Sequence, residues 1–155
     1  MMPKLRVAVY ARHSTSHQNP QSSNDQAKAC APLIESLGGT CVATYSDPEI
    51  SGYRRDRPEL LQLLAEMHEG RIDVVVCEAM DRIARDAEDI SWLEKKFHFD
   101  RVRLVTIAEG EIDAITFAIA SMLGSMFLNN LRIKTRRGMQ AAVPAGRFAG
   151  GKAYG

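Results

Sequence analysis

The sequence predicts an α/β fold, a mostly parallel central sheet flanked by helices and followed by one long helix. Three observations predict it. Short apolar runs near Val7, Cys41, Val74 and Val102 alternate with segments of helical period, the order that builds strand–helix–strand units. The run Val74-Val75-Val76-Cys77 is apolar on both faces, as a strand inside a parallel sheet must be. From Asp113 onward an apolar helical pattern outruns what one small sheet can cover.

Val7 to Ala11 reads as the first strand. Ser22 to Leu37 carries Ala27, Cys30, Ala31, Ile34 and Leu37 at helical spacing, and Gly38-Gly39 supplies the stop, with Pro32 as a possible kink. Cys41 to Tyr45 reads as a short second strand. The segment SDPEISGYRRDR, Ser46 to Arg57, has turn formers, no periodicity and a positive cluster, so a mobile loop is expected there. Asp56, Pro58 and Glu59 have the spacing of a capped helix start, and that helix runs to about Gly70. Asp73 to Met80 holds the central strand. A helix around Ala87 to Phe97 and a strand at Val102 to Ile107 complete the alternation.

The helix predicted from Asp113 has two apolar stripes. Ile115, Ile119, Met122, Met126 and Ile133 form one; Phe117, Ala120, Phe127 and Leu131 form the other. One stripe suffices to cover the domain, so the surplus face, with Ile119, Met122 and Met126, is expected to meet another copy of the chain, and Phe127 of the second stripe is expected to join that contact. Ala114 to Leu131 is uncharged, yet Thr116, Ser121, Ser125, Asn129 and Asn130 shorten its apolar part below the roughly 20 residues a membrane span needs. No membrane is expected. The boundaries are therefore a core over 1–112, a long helix over 113–142 and a Gly-rich linker over 143–155.

The net charge of +1 hides an asymmetry. All 19 acidic residues lie at or before Asp113, while Arg132, Lys134, Arg136, Arg137, Arg147 and Lys152 follow it with no acid among them. A basic end of this kind fits a nucleic-acid partner, with Arg132, Lys134, Arg136 and Arg137 facing the backbone, although a solvated tail would look the same. Cys30, Cys41 and Cys77 are scattered, with no Cys-x-x-Cys pair and no His at ligand spacing, so reduced thiols in the cytoplasm and no metal or other cofactor are expected.

Ligands of open α/β sheets gather at the carboxyl ends of the strands. Three segments there carry reactive residue types: Arg12, Ser14 and Gln18 after the first strand; Asp47, Ser51 and Arg57 after the second; Asp81, Arg82 and Arg85 after the central one. Strand alternation sends Tyr10, Arg12 and Ser14 to one side and His13 to the other, so His13 is badly placed as a base for Ser14. No G-x-S-x-G elbow is present. Arginine forks match pairs of phosphate oxygens and hold their charge at any pH, which points to phosphoryl chemistry with Ser14 as nucleophile and Arg12 as clamp. Taken singly, Asp81 and Arg85 could be a helix-surface ion pair and Ser14 a helix cap.

YARHST…Q, YSDPEISGYRRDRPEL and MDRIARD resemble, in order, the three signature segments of the serine recombinases, the resolvase/invertase family, and the resemblance spans Val7 to about Gly138. It implies that Ser14 attacks a DNA phosphodiester to give a 5′-phosphoserine link and a free 3′-hydroxyl. Arg12, Arg82 and Arg85 would bind the scissile phosphate, Arg57 and Ser51 would support them from the mobile loop, and Asp81 would assist the leaving oxygen or orient an arginine. Gln18 and Asp47 also match family positions. The family uses its long helix for dimer and synaptic tetramer contacts and needs no metal, and the Gly-rich tail looks like the junction in the large serine recombinases. His13 departs from the small or apolar residue usual there. The competing readings are a catalytically silent DNA-binding or assembly module of the same fold, and a flavodoxin-like phosphate-binding or phosphatase domain.

Overall fold

The computed structural model describes residues 4–14, 21–49, 57–84 and 86–123, with the backbone alone at residues 13, 14, 21–23 and 49. Five strands, β1 (Leu5–Ser14), β2 (Gly39–Glu49), β3 (Val74–Cys77), β4 (Arg103–Thr106) and β5 (Gly110–Ile112), form one sheet in the order β2-β1-β3-β4-β5. The first four run parallel, and β5 turns back antiparallel along β4. Helices α1 (Gln21–Ser36), α2 (Pro58–His68), α3 (Met80–Ile83) and α4 (Ala87–Asp100) connect them. A further helix, α5, occupies residues 114–123.

Strand alternation divides the core in two. Val7, Val9, Val74, Val76 and Val105 face α1, which contributes Cys30 and Ile34. Ala8, Tyr10, Val75, Cys77 and Leu104 face the larger layer, made by Leu60, Leu63 and Met67 of α2, Leu93 and Phe97 of α4, and Phe117 of α5. Both faces of β3 are therefore covered, which is why its run has no polar break. Gly38 turns the chain out of α1 with φ +67°, and a Cβ on Gly39 would collide with Val7 Cγ2. The expected Gly-Gly stop thus combines a left-handed turn with a close approach.

Three expectations change. The second strand continues through Ser46-Asp47-Pro48-Glu49, read from sequence as the start of a loop, and pairs Arg12 with Asp47 and Ser14 with Glu49. Pro48 is compatible with this because β2 lies at the sheet edge. The turn formers concealed the strand. The first turn of α2 takes its cap from a distance: Asp47 accepts from the N–H groups of Glu59 (3.1 Å) and Leu60 (2.9 Å), whereas the expected cap, Asp56, lies outside the described residues. Strand β5 and the one-turn α3 had no periodicity long enough to announce them.

The α5 helix sorts its two stripes as expected over its described length. Phe117 is 4% exposed and Ala120 packs on the core, while Ile115, Ile119 and Met122 are 69%, 51% and 64% exposed. Met126 and Phe127 lie outside the described residues. No helix among the described residues is long and apolar enough to cross a membrane.

Candidate active site

The strand order reverses direction between β1 and β3, and the crevice at the carboxyl ends of such a pair is where an open sheet accepts a ligand. β1 ends there with Arg12 and Ser14, and the segment after β3 delivers Asp81 and Arg82 on α3, which packs against β1. Two segments about seventy positions apart in sequence, the end of β1 and α3, are therefore packed together at the carboxyl end of the sheet.

β3 pairs with β1 only through Val7, Ala8 and Val9, leaving the backbone of Arg12 without a strand on that side. Gln26 of α1 fills the role, its amide donating to Arg12 O at 2.9 Å and accepting from Arg12 N at 3.3 Å. Arg12 is buried, at 9% exposure. Two hydrogen bonds with the side-chain amide of a packed helix hold its main chain rigidly.

Beneath it lies a buried polar network. Tyr10 donates its hydroxyl to Asp47 Oδ2 at 2.9 Å and accepts from Arg57 Nε at 3.3 Å, and the Arg57 guanidinium lies over the Tyr10 ring, 5.5 Å from its centroid. Asp47 is wholly buried and Arg57 is 5% exposed. Burial pushes the Tyr10 hydroxyl up to about 12, with Asp47 adding to the rise and the Arg57 charge opposing it. Tyr10 is consequently a permanent donor at neutral pH. Arg57 also reaches Asp89 Oδ2 at 3.3 Å, and its Nη2 donates to the carbonyls of Arg82 (3.4 Å) and Ile83. The sequence reading placed Arg57 in a mobile loop; in the fold it is the residue preceding α2, with its guanidinium spent on Tyr10, α3 and α4.

Asp81 and Arg82 lie toward solvent on α3, and Arg82 Nε is 3.4 Å from Glu78 Oε2. The pair is part-exposed, with side chains 32% and 44% accessible, so it holds the Arg82 fork weakly and a phosphate can displace it. Gln26, Tyr10, Glu78 and Asp89 were not singled out from sequence as site residues, although alternation had put Tyr10 on the side of Arg12. Ser14 is the last residue of β1; its side chain lies outside the described set, as do Gln18, Ser51, Arg85 and the basic residues Arg132, Lys134, Arg136 and Arg137.

Burial raises the Cys30 thiol to about 11 and the Cys77 thiol higher still, so neither supplies a thiolate at neutral pH. Among the described residues, no group of three His, Cys, Asp or Glu side chains could hold a metal ion.

Comparison with known proteins identifies the fold and the family. Residues 7–148 match the family model described as the resolvase N-terminal domain. A resolvase from Escherichia coli is 31% identical over 96% of this chain and 74% of its own length. The Tn501 transposon resolvase of Pseudomonas aeruginosa is 30% identical over 92% of this chain and 73% of its own length. Among solved structures, the N-terminal catalytic domain of TP901-1 integrase superposes with a TM-score of 0.64 at 21% identity, covering 83% of this chain and 98% of that domain. A resolvase-family site-specific recombinase from Streptococcus pneumoniae gives a TM-score of 0.65 at 22% identity, covering 91% and 99%. With a family model spanning nearly the whole chain, and with β1 and α3 meeting at the switch point of the sheet, the chain belongs to the resolvase family of site-specific serine recombinases.

Proposed function

We propose that this chain cleaves and rejoins double-stranded DNA through a covalent 5′-phosphoserine intermediate on Ser14. The observation that carries the reading is the meeting of β1, which ends in Arg12 and Ser14, with α3, which bears Asp81 and Arg82. Ser14 Oγ gives up its proton as it bonds to the scissile phosphorus, the P–O3′ bond breaks, and the 3′-oxygen takes up one proton and leaves as a hydroxyl, so that protons balance. Asp81 assists that departure or orients an arginine, and Arg12, Arg82 and Arg85 take the charge that develops on the non-bridging oxygens. One phosphodiester replaces another, so the bond energy is conserved and rejoining is the same step run backward with a new 3′-hydroxyl. Gln18 and Ser51 belong to the same site. Arg57 and Asp47 contribute from beneath it.

The chain divides, in this reading, into a catalytic core over 1–112, a helix over 113–142 that joins copies of the chain as dimers and synaptic tetramers, and a linker over 143–155. Arg132, Lys134, Arg136 and Arg137 contact DNA phosphates. The exposed Ile115, Ile119 and Met122 support the helix as a self-association face, to which Met126 would add from the same stripe and Phe127 from the other. Ile119→Glu is expected to weaken self-association in sedimentation equilibrium while leaving the thermal midpoint nearly unchanged, since the side chain is half exposed. Unaltered sedimentation would remove the case for this face.

The reaction is tested by trapping on a nicked duplex. The chain should form a protein–DNA adduct whose released strand ends in a 3′-hydroxyl, and Ser14→Ala should abolish it. Hydrolysis of small phosphoesters without an adduct would identify a phosphatase instead.

A further inference from the structure

The turn after β4 is tied to the segment that carries Asp81 and Arg82. Ile107 N–H donates to Cys77 O at 3.1 Å and Ala108 N–H to Glu78 O at 3.0 Å, extending the β3–β4 pairing past both strand ends. Ala79 is then extended, at φ −152° and ψ 162°, and provides no side-chain cap for the helix that follows. The N–H of Met80, the first residue of α3, donates instead to Glu109 Oε2 at 3.2 Å.

Glu109 is itself held. Thr106 Oγ1 donates to the same carboxylate oxygen at 2.5 Å and accepts from Glu109 N–H at 2.9 Å. Thr106 is fully buried in β4, so the carboxylate is anchored to the sheet rather than to a free loop. A single helical turn has no stability of its own, because nucleation fixes several residues for one hydrogen bond. The position of α3 is therefore set by its buried Met80 and Ile83 together with what grips its ends. Glu109 grips the first, and Arg57 the carbonyls of Arg82 and Ile83 at the last.

We propose that Glu109 is a positioning residue for strand cleavage. Its carboxylate fixes the first turn of α3, and through that turn the Asp81 carboxyl and the Arg82 guanidinium at the scissile phosphate. The role rests on the serine-recombinase reaction proposed above. Glu109 acts by accepting hydrogen bonds, not by its charge, because its contacts are a backbone N–H and a hydroxyl. A neutral amide oxygen should therefore serve as well.

The test uses the whole chain in three forms, wild type, Glu109→Ala and Glu109→Gln, with Ser14→Ala alongside. Amide hydrogen exchange by NMR reads the grip on α3, and single-turnover adduct formation on nicked duplex reads its consequence. Glu109→Ala should speed exchange at Met80 about tenfold and slow adduct formation at saturating DNA by a similar factor, on the scale of one lost hydrogen bond. The amides of Val75 and Leu104, and the DNA concentration at half-saturation, should not move. Glu109→Gln should restore both quantities. Unchanged exchange at Met80, wild-type cleavage by Glu109→Ala, or faster exchange across the whole sheet without rescue by Gln would each overturn the positioning role alone. An adduct that survives Ser14→Ala would overturn the reaction on which the role depends.

Discussion

Arg57→Met should lower the unfolding free energy by about 3 kcal/mol, the scale on which one partner is removed from a buried charged network, and should bring cleavage to background. The side chain is 6% accessible and bonds to four groups: Tyr10 Oη, Asp89 and the carbonyls of Arg82 and Ile83. Methionine fills much of the volume but donates nothing, so each of these groups loses its Arg57 bond, and Tyr10 Oη and the Ile83 carbonyl lose it in the buried part of the site. Asp47 keeps Tyr10 Oη and the N–H groups of Glu59 and Leu60, which is why the expected loss is at the low end for buried charges. Cleavage should suffer more than stability. The C-terminal end of α3 has lost its anchor, and displacement of a clamping group by about 1 Å can cost two orders of magnitude in rate. Urea titration reads the stability, with the midpoint falling at constant slope. A midpoint equal to that of the wild type would show that the network contributes no stability.

Arg82→Lys should leave the fold intact and slow strand cleavage about a hundredfold, comparable to losing one preorganised donor to a developing oxyanion. The two effects separate because of where the residue sits. Arg82 is part-exposed, its guanidinium meets Glu78 at 3.4 Å, and the carbonyl that Arg57 holds belongs to the backbone and survives substitution. Lysine keeps the charge, so attraction of DNA should change little. It cannot present two N–H groups in one plane to two phosphate oxygens. Single-turnover cleavage and a filter-binding titration on the same duplex distinguish the outcomes. Near-normal cleavage would refute the clamp.

Much of this fold is legible in the sequence because it rests on local pattern. The run Val74 to Cys77 could only be an inner strand, and the stripes of α5 announced one face for the core and another left over. What is not legible is non-local or short. Pro48 and the turn formers around it hid the end of β2, since only pairing with β1 makes an edge strand of that composition. Three residues of β5 and four of α3 carry no period.

The site divides along the same line. Arg12, Ser14, Asp81 and Arg82 fall at strand ends and can be found by residue type and position. Tyr10, Asp47 and Arg57 cohere only across 37 and 47 residues of chain, and an arginine beside a candidate phosphate site has the same sequence signature whether it grips a ligand or the scaffold. Burial and hydrogen bonds place the Arg57 guanidinium on the scaffold.

The most direct measurement is mass spectrometry of the adduct trapped on nicked duplex, after nuclease trimming and proteolysis. A nucleotide phosphate attached to Ser14 itself is the result expected; attachment to Thr15, Ser16 or any other residue would contradict the account.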